Sequence, residues 1–209
     1  MVTETVTPPR LVPLEPPYDV AIADQLSSMT PAGQAPIALF RILVHNQPLA
    51  EAMTRWGRYE LGRSLSLSLR DREIVIDRTC ARCGCEYEWG VHVSYFSGRA
   101  RLDPAQITSL TVGSADDTCW VDLRDRLLIR AVDSLHDTSD IPDDLWDDLA
   151  SGFTAAELLD LPVLCGWYHS ISFTARAARL RPEPGAPTFS SVVSTTPRSD
   201  ERTSGLSPG

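Results

Sequence analysis

Cys85-Glu86-Tyr87-Glu88-Trp89-Gly90-Val91-His92 is the stretch on which the reading of the fold turns. Taken as a helix at about 100° per residue, it brings His92 to about 20° from Cys85 and about 40° from Glu88. A thiol, a carboxyl and an imidazole then share one face, with Trp89 beside them. Such a trio can move protons or perform thiol chemistry. The plainer alternative is a helix flank carrying one satisfied polar pair.

The residues upstream support the helical reading. Ser68-Leu69-Arg70-Asp71 is a capping-box pattern that opens the apolar run Leu69, Ile74, Val75 and Ile76. Gly84 interrupts this run, and glycine costs a helix interior up to about 1 kcal/mol. A break there ends one helix near Cys83 and starts another near Cys85. Cys85 then sits at a helix N-terminus, where backbone N–H groups and the macrodipole favour a thiolate. Glu88 becomes a first-turn acid and His92 its neighbour one turn on. Cys80 and Cys83 form a C-x-x-C pair, but no βαβ pattern surrounds it, so small buried core thiols are the expectation. Cys80, Cys83, Cys85 and His92 have the number and type for a Cys₃His zinc site. They radiate around helices rather than converging from loops, so no metal and no cofactor is expected.

Helical periodicity continues on both sides. Ile37, Phe40, Ile42 and Leu43, then Leu49, Met53 and Trp56, predict two helices parted at Asn46–Pro48. Asp103-Pro104 reads as an N-cap followed by proline at the first helical position. Leu123, Leu127, Leu128, Ala131, Val132 and Leu135 repeat at helical spacing. Ile141–Leu149 has a proline-led start, Thr154 to Glu157 is a second capping box, and Pro162 is expected to divide the helix that follows. Strand alternation is absent, so the fold class is all-α. The segment Leu69-Arg70-Asp71-Arg72 recurs as Leu123-Arg124-Asp125-Arg126, and Trp89-x-x-His92 is loosely echoed by Trp167-x-His169. Two similar helical halves would explain both echoes; chance would explain them too.

The ends read differently. Five prolines between Pro8 and Pro17 mark residues 1–20 as a tail, and Pro, Ser, Thr and Gly dominate 182–209, which is expected to be disordered. The helical domain is assigned to 21–181. The chain has 209 residues, 43% of them hydrophobic, which suits one domain with a single core. A net charge of −9 argues against nucleic acid as a partner. No apolar run approaches a membrane span, and the start is not signal-like, so a cytoplasmic protein is expected. Five cysteines, three of them crowded at 80, 83 and 85, do not resemble a secreted disulfide framework.

Among the remaining candidates, Tyr87 and Trp89 flank the trio as pocket walls. Arg78 and Arg82, one turn apart, are candidates to hold a substrate carboxylate. His169 is a candidate pocket residue, whereas His45 and His136 are expected to be solvated.

Arg72-Glu73-Ile-Val-Ile followed by Gly84-Cys85-Glu86-Tyr87-Glu88-Trp89-Gly-Val-His92-Val closely resembles the carboxymuconolactone decarboxylase family. The likeness runs from about Ala38 to Leu180. It implies the all-helical fold shared with alkylhydroperoxidase D proteins, a homo-oligomer (dimer, trimer or hexamer) and a small-molecule substrate. In the peroxidase branch a Glu, a C-x-x-C pair and a His relay protons to thiols; Glu73, Cys85 and His92 match that spacing. The second cysteine of that branch falls at Glu88 here, and a carboxylate cannot complete thiol turnover. The decarboxylase branch needs no thiol: loss of carbon dioxide leaves a dienolate, whose oxyanion must be stabilised and whose carbon must be protonated. The resemblance therefore implies cofactor-free proton chemistry by Glu73, Glu88 and His92, with Cys85 beside them. A thiol peroxidase using Cys85 and Cys83, and a non-catalytic oligomerisation or ligand-binding module, are the alternatives.

Overall fold

The helix Leu69–Arg82 organises the molecule, and the computed structural model, which describes residues 8–193, shows why. The Ser68 hydroxyl accepts from the Asp71 N–H at 3.1 Å, and the Asp71 carboxylate accepts from the Ser68 N–H at 3.2 Å. This reciprocal box satisfies two donors at the helix start. At the other end the Cys85 N–H reaches the Cys80 carbonyl at 2.8 Å and the Gly84 N–H reaches Ala81 at 2.9 Å. Those two bonds are a Schellman stop, which requires the left-handed φ of +61° that Gly84 supplies. The next helix, Glu86–Ala100, starts at once with Cys85 as its N-cap.

In chain order the helices are α1 (Val20–Met29), α2 (Ala38–Leu43), α3 (Gln47–Glu60), α4 (Leu69–Arg82), α5 (Glu86–Ala100), α6 (Pro104–Val112), α7 (Leu123–Thr138), α8 (Asp143–Gly152), α9 (Ala155–Ala178) and α10 (Phe189–Val193). Among the described residues there is no strand, and no helix is long and apolar enough to cross a membrane. The all-α expectation holds. Helix α4 packs against α5, α6, α7 and α9, and every residue from Asp71 to Cys80 is buried.

The repeated Leu-Arg-Asp-Arg segment acquires a physical meaning here. Arg70 Nη2 donates to Asp125 at 2.7 Å, and Arg124 donates from Nε and Nη2 to Asp71 at 3.1 and 3.0 Å. Each copy thus pairs its arginine with the other copy's aspartate. Farther along, Arg78 pairs with Asp133 at 2.7 Å and Arg82 with Asp137. The constant spacing of these pairs means α4 and α7 run side by side in the same direction. Reciprocal contacts of this kind are what a local two-fold axis produces.

Two expectations need correction. Pro162 does not divide its helix: α9 runs unbroken from Ala155 to Ala178. A mid-helix proline costs about 3 kcal/mol, and the buried stripe Leu161, Leu164, Cys165, Tyr168 and Ile171 offsets it. The chain beyond Pro182 is also not structureless throughout. The Tyr87 hydroxyl donates to Glu183 at 2.5 Å, as does the Ala38 N–H at 2.6 Å, and Phe189 meets Trp89 edge-on at 5.0 Å. A Cβ on Gly90 would stand 2.7 Å from the Pro187 carbonyl oxygen, so the close approach of this segment to α5 depends on glycine. Residues 8–17 likewise lie along the body, with Arg10 N–H bonded to Ala178 O at 2.8 Å. The rest of both expected tails, 1–7 and 194–209, falls outside the described residues.

Asp71 both caps α4 and anchors Arg124, so Asp71→Ala is expected to lower unfolding stability by about 2–4 kcal/mol in denaturant titration. Adding Arg124→Ala to that variant should cost little more, and a double-mutant cycle measures this coupling.

Candidate active site

Two adjacent helices and one distant one build the site. Glu73 projects from α4, Glu88 and His92 lie one turn apart on α5, and Tyr168 comes from α9. His92 Nδ1 is 2.8 Å from Glu73 Oε2, and its Nε2 is 3.0 Å from the Tyr168 hydroxyl and 3.5 Å from Glu88 Oε1. The other Glu73 oxygen accepts from Arg72 Nε at 2.7 Å. Phe96 stacks on the His92 ring at 5.2 Å and carries the Arg72 guanidinium over its own face at 5.1 Å. All four hydrogen-bonding side chains are buried.

Burial alone would push the His92 imidazole down. The Glu73 carboxylate, helped by Glu88, overrides it and holds the ring up at about 10. The imidazolium therefore persists through neutral pH and can donate from both nitrogens. Burial, followed by the neighbouring Glu88 and Glu73 charges, drives the Tyr168 phenol well above its ordinary value, so it stays neutral. Asp77, one turn beyond Glu73, is driven well above the carboxylate range by burial and by Glu73. Its Oδ1 has no hydrogen-bond partner among the described residues.

Glu88, His92 and Tyr168 reach the wall of a cavity of about 450 Å³ whose other surfaces are mostly apolar, among them Leu39, Phe40, Met53, Trp167 and Ile171. Glu88 Oε2 is buried without a hydrogen-bond partner among the described residues. The lining of this cavity thus includes a donor pair and Glu88, one of whose oxygens lacks a described partner. That arrangement can take a proton from one side of a bound molecule and give one at another.

Several expected site residues are placed elsewhere. Cys85 is the N-cap of α5 as expected, yet its thiol is pushed up to about 11: burial dominates, and the Glu88 carboxylate adds to it against the helping Glu88 N–H. The thiolate expected from the helix N-terminus is corrected on that ground. Cys85 and Tyr87 line a separate cavity of about 200 Å³ with Arg176 and Pro182. Tyr87 bonds Glu183 and receives the Leu39 N–H at 2.9 Å, while Trp89 is fully buried against Phe189. Arg78 is locked by Asp133 and by the carbonyls of Leu110 and Gly113, and Arg82 by Asp133 and Asp137, so neither faces the large cavity. His169 points to His136, at 2.9 Å, and His136 is half-buried rather than solvated.

Sequence reasoning missed Tyr168 and Asp77. The signal existed: Leu161, Leu164, Tyr168, Ile171 and Ala175 repeat at helical spacing, which puts Tyr168, not His169, on the inner stripe. Asp77 follows Glu73 by four residues and shares its face.

No family model matches the chain, and no curated protein does. Among solved structures, an uncharacterized peroxidase-related protein from Silicibacter sp. TM1040 is similar, at 18% identity and a TM-score of 0.74. The match covers 90% of this chain and 100% of that one. The chain shares that protein's fold, which fits the alkylhydroperoxidase D-like architecture.

Replacing Glu73 by Gln should lower the His92 value by about 1–3 pH units, as seen by NMR titration of the ring carbons. Because His92 is raised above its ordinary 6.5, its contribution to stability is complete below about 6.5 and fades as pH climbs through about 10. Thermal midpoints of the native protein should fall across that window, and Glu73→Gln should flatten the fall.

Proposed function

We propose that the protein is a cofactor-free acid–base enzyme of the carboxymuconolactone decarboxylase type, acting on a small carbonyl or lactone acid. The observation that carries this reading is the His92–Tyr168 donor pair in the lining of the apolar cavity, which Glu88 lines as well and where one Glu88 oxygen is buried without a hydrogen-bond partner among the described residues. His92, held protonated by Glu73, gives its Nε2 proton toward Tyr168, and Tyr168 passes hydrogen-bond character to a substrate oxygen. Charge developing there during decarboxylation or enolisation is met by a donor already in place. Glu88 receives a proton from carbon in an isomerisation. In a decarboxylation His92, through Tyr168, supplies the proton that replaces carbon dioxide. The apolar walls exclude water and favour a compact substrate with few charges.

A second reading, a thiol peroxidase using Cys85 and Cys83, is prompted by the neighbour's description as peroxidase-related. Cys80, Cys83 and Cys85 do gather around the Ser172 hydroxyl. Burial raises all three thiols, which works against a thiolate nucleophile. We further propose a homo-oligomer whose subunits meet at Leu61 and Tyr95, exposed apolar residues that also line the cavity.

The test is a panel of unsaturated lactone acids and β-keto acids, followed by product NMR in deuterated water. His92→Gln and Glu88→Gln are expected to lower turnover about a hundredfold or more, and Cys85→Ala to retain most of it. A dead Cys85→Ala with a nearly normal His92→Gln, or dithiol-dependent consumption of a hydroperoxide, overturns the proposal in favour of thiol chemistry.

A further inference from the structure

Away from the large cavity, α4, α7 and α9 bring three metal-binding side chains together. Cys83 caps the end of α4, His136 lies in the last turn of α7 and His169 in the middle of α9. One ligand atom from each lies within 4.8 Å of the others, and this is the one such group of three among the described residues. It is not the set of Cys80, Cys83, Cys85 and His92 that residue counting suggests, since His92 is committed to Glu73, Glu88 and Tyr168.

Hydrogen bonding prepares the imidazoles for a cation. His169 Nδ1 is 2.8 Å from the Cys165 carbonyl, which can only accept, so Nδ1 carries the proton and Nε2 presents a lone pair. A backbone carbonyl fixing one ring nitrogen so that the other faces outward is the usual support of a metal-bound histidine. That Nε2 faces His136 Nδ1 at 2.9 Å. The two rings come from different helices and meet through these two nitrogens. Arg82, the cation near them, is paired with Asp133 and Asp137.

We propose that Cys83, His136 and His169 form a binding site for a divalent transition metal of the zinc class, with solvent as the fourth ligand. One thiolate with two imidazoles is a donor set suited to zinc. Tetrahedral zinc with bonds of about 2.0 Å to nitrogen and about 2.3 Å to sulfur needs about 3.3 Å between nitrogens and about 3.6 Å from sulfur to nitrogen. The observed group reaches this by parting the rings a few tenths of an ångström, about the scatter of a contact, and by turning the Cys83 side chain inward. On binding, the Cys83 thiol loses its proton to solvent as the metal–sulfur bond forms. His136 moves its proton from Nδ1 to Nε2, so one proton is released per metal. The ion would fasten three helices that otherwise meet through ion pairs and apolar contact.

The experiment uses the full chain, stripped with a chelator and titrated with Co²⁺ as a spectroscopic probe. The expected result is saturation at one equivalent, intense tetrahedral d–d bands, a sulfur-to-cobalt charge-transfer band, and displacement by Zn²⁺. Cys83→Ser should abolish the charge-transfer band, and His136→Gln and His169→Gln should each weaken binding by at least about tenfold. Cys119→Ser, remote from the group, should bind as the native chain does. Zn²⁺ should raise the thermal midpoint of the native protein and leave that of His136→Gln unmoved. His136→Gln sits at a half-buried position and its circular dichroism reports whether it has folded. An octahedral spectrum, no saturable binding, or binding indifferent to these three substitutions overturns the proposal.

Discussion

A helix buried on every side must dispose of its charges, and that constraint on α4 shapes everything around it. Between Asp71 and Cys80 the helix buries Asp71, Arg72, Glu73, Asp77 and Arg78. Unpaired, any one of them would cost several kcal/mol, on the order of 3–5. Asp71 meets Arg124, Arg78 meets Asp133, and Glu73 divides its two oxygens between Arg72 and His92. Apolar area alone would let α5 and α7 slide or rotate against α4 at modest cost. Directional charge pairs permit one register, so the network fixes where the neighbouring helices sit.

The same network decides which group at the site does what. Two carboxyls, Glu73 and Asp77, lie one turn apart in a dry helix, and one imidazole faces them. Asp77 responds by favouring its neutral acid, while Glu73 is held by Arg72 and His92. The His92 ring is consequently held up at about 10, which suits the donor role proposed for it. Glu88 lines the cavity and has an oxygen with no hydrogen-bond partner among the described residues, which suits the accepting role proposed for it. The separation of roles thus follows from how α4 buries its charges.

Much of the fold was legible because its punctuation is local. The boxes at Ser68 and Thr154, the proline after Asp103 and the break at Gly84 all act within one turn, and each appears where the sequence places it. The arginine–aspartate echo was visible as a pattern but not as a contact, because pairing across helices depends on register. Pro162 misleads for the same reason: its local cost is opposed by a buried stripe whose partners lie on other helices. The ordered segment after Pro182 was hidden by its composition, since two anchors, Glu183 and Phe189, are too few to register against surrounding Pro, Ser and Gly. At the site, Glu88 and His92 could be read from helical angles along one stretch of chain, and Glu73 entered through the family resemblance. The inward face of Tyr168 was legible in its helical spacing, but its meeting with His92 and the Cys83–His136–His169 group were not, because they are assembled from helices far apart in sequence.

Glu88 touches two neighbours at once, Cys85 on one side and His92 on the other. Burial lifts the neighbouring Cys85 thiol to about 11, with the Glu88 N–H opposing the rise and the Glu88 carboxylate adding to it. The same carboxylate approaches His92 Nε2 at 3.5 Å and helps keep the ring protonated. Its second oxygen is buried without a hydrogen-bond partner among the described residues. One oxygen of this side chain thus approaches His92 while the other lacks a described partner, which is why the accepting role is proposed for Glu88 rather than for Glu73, whose two oxygens are taken by Arg72 and His92.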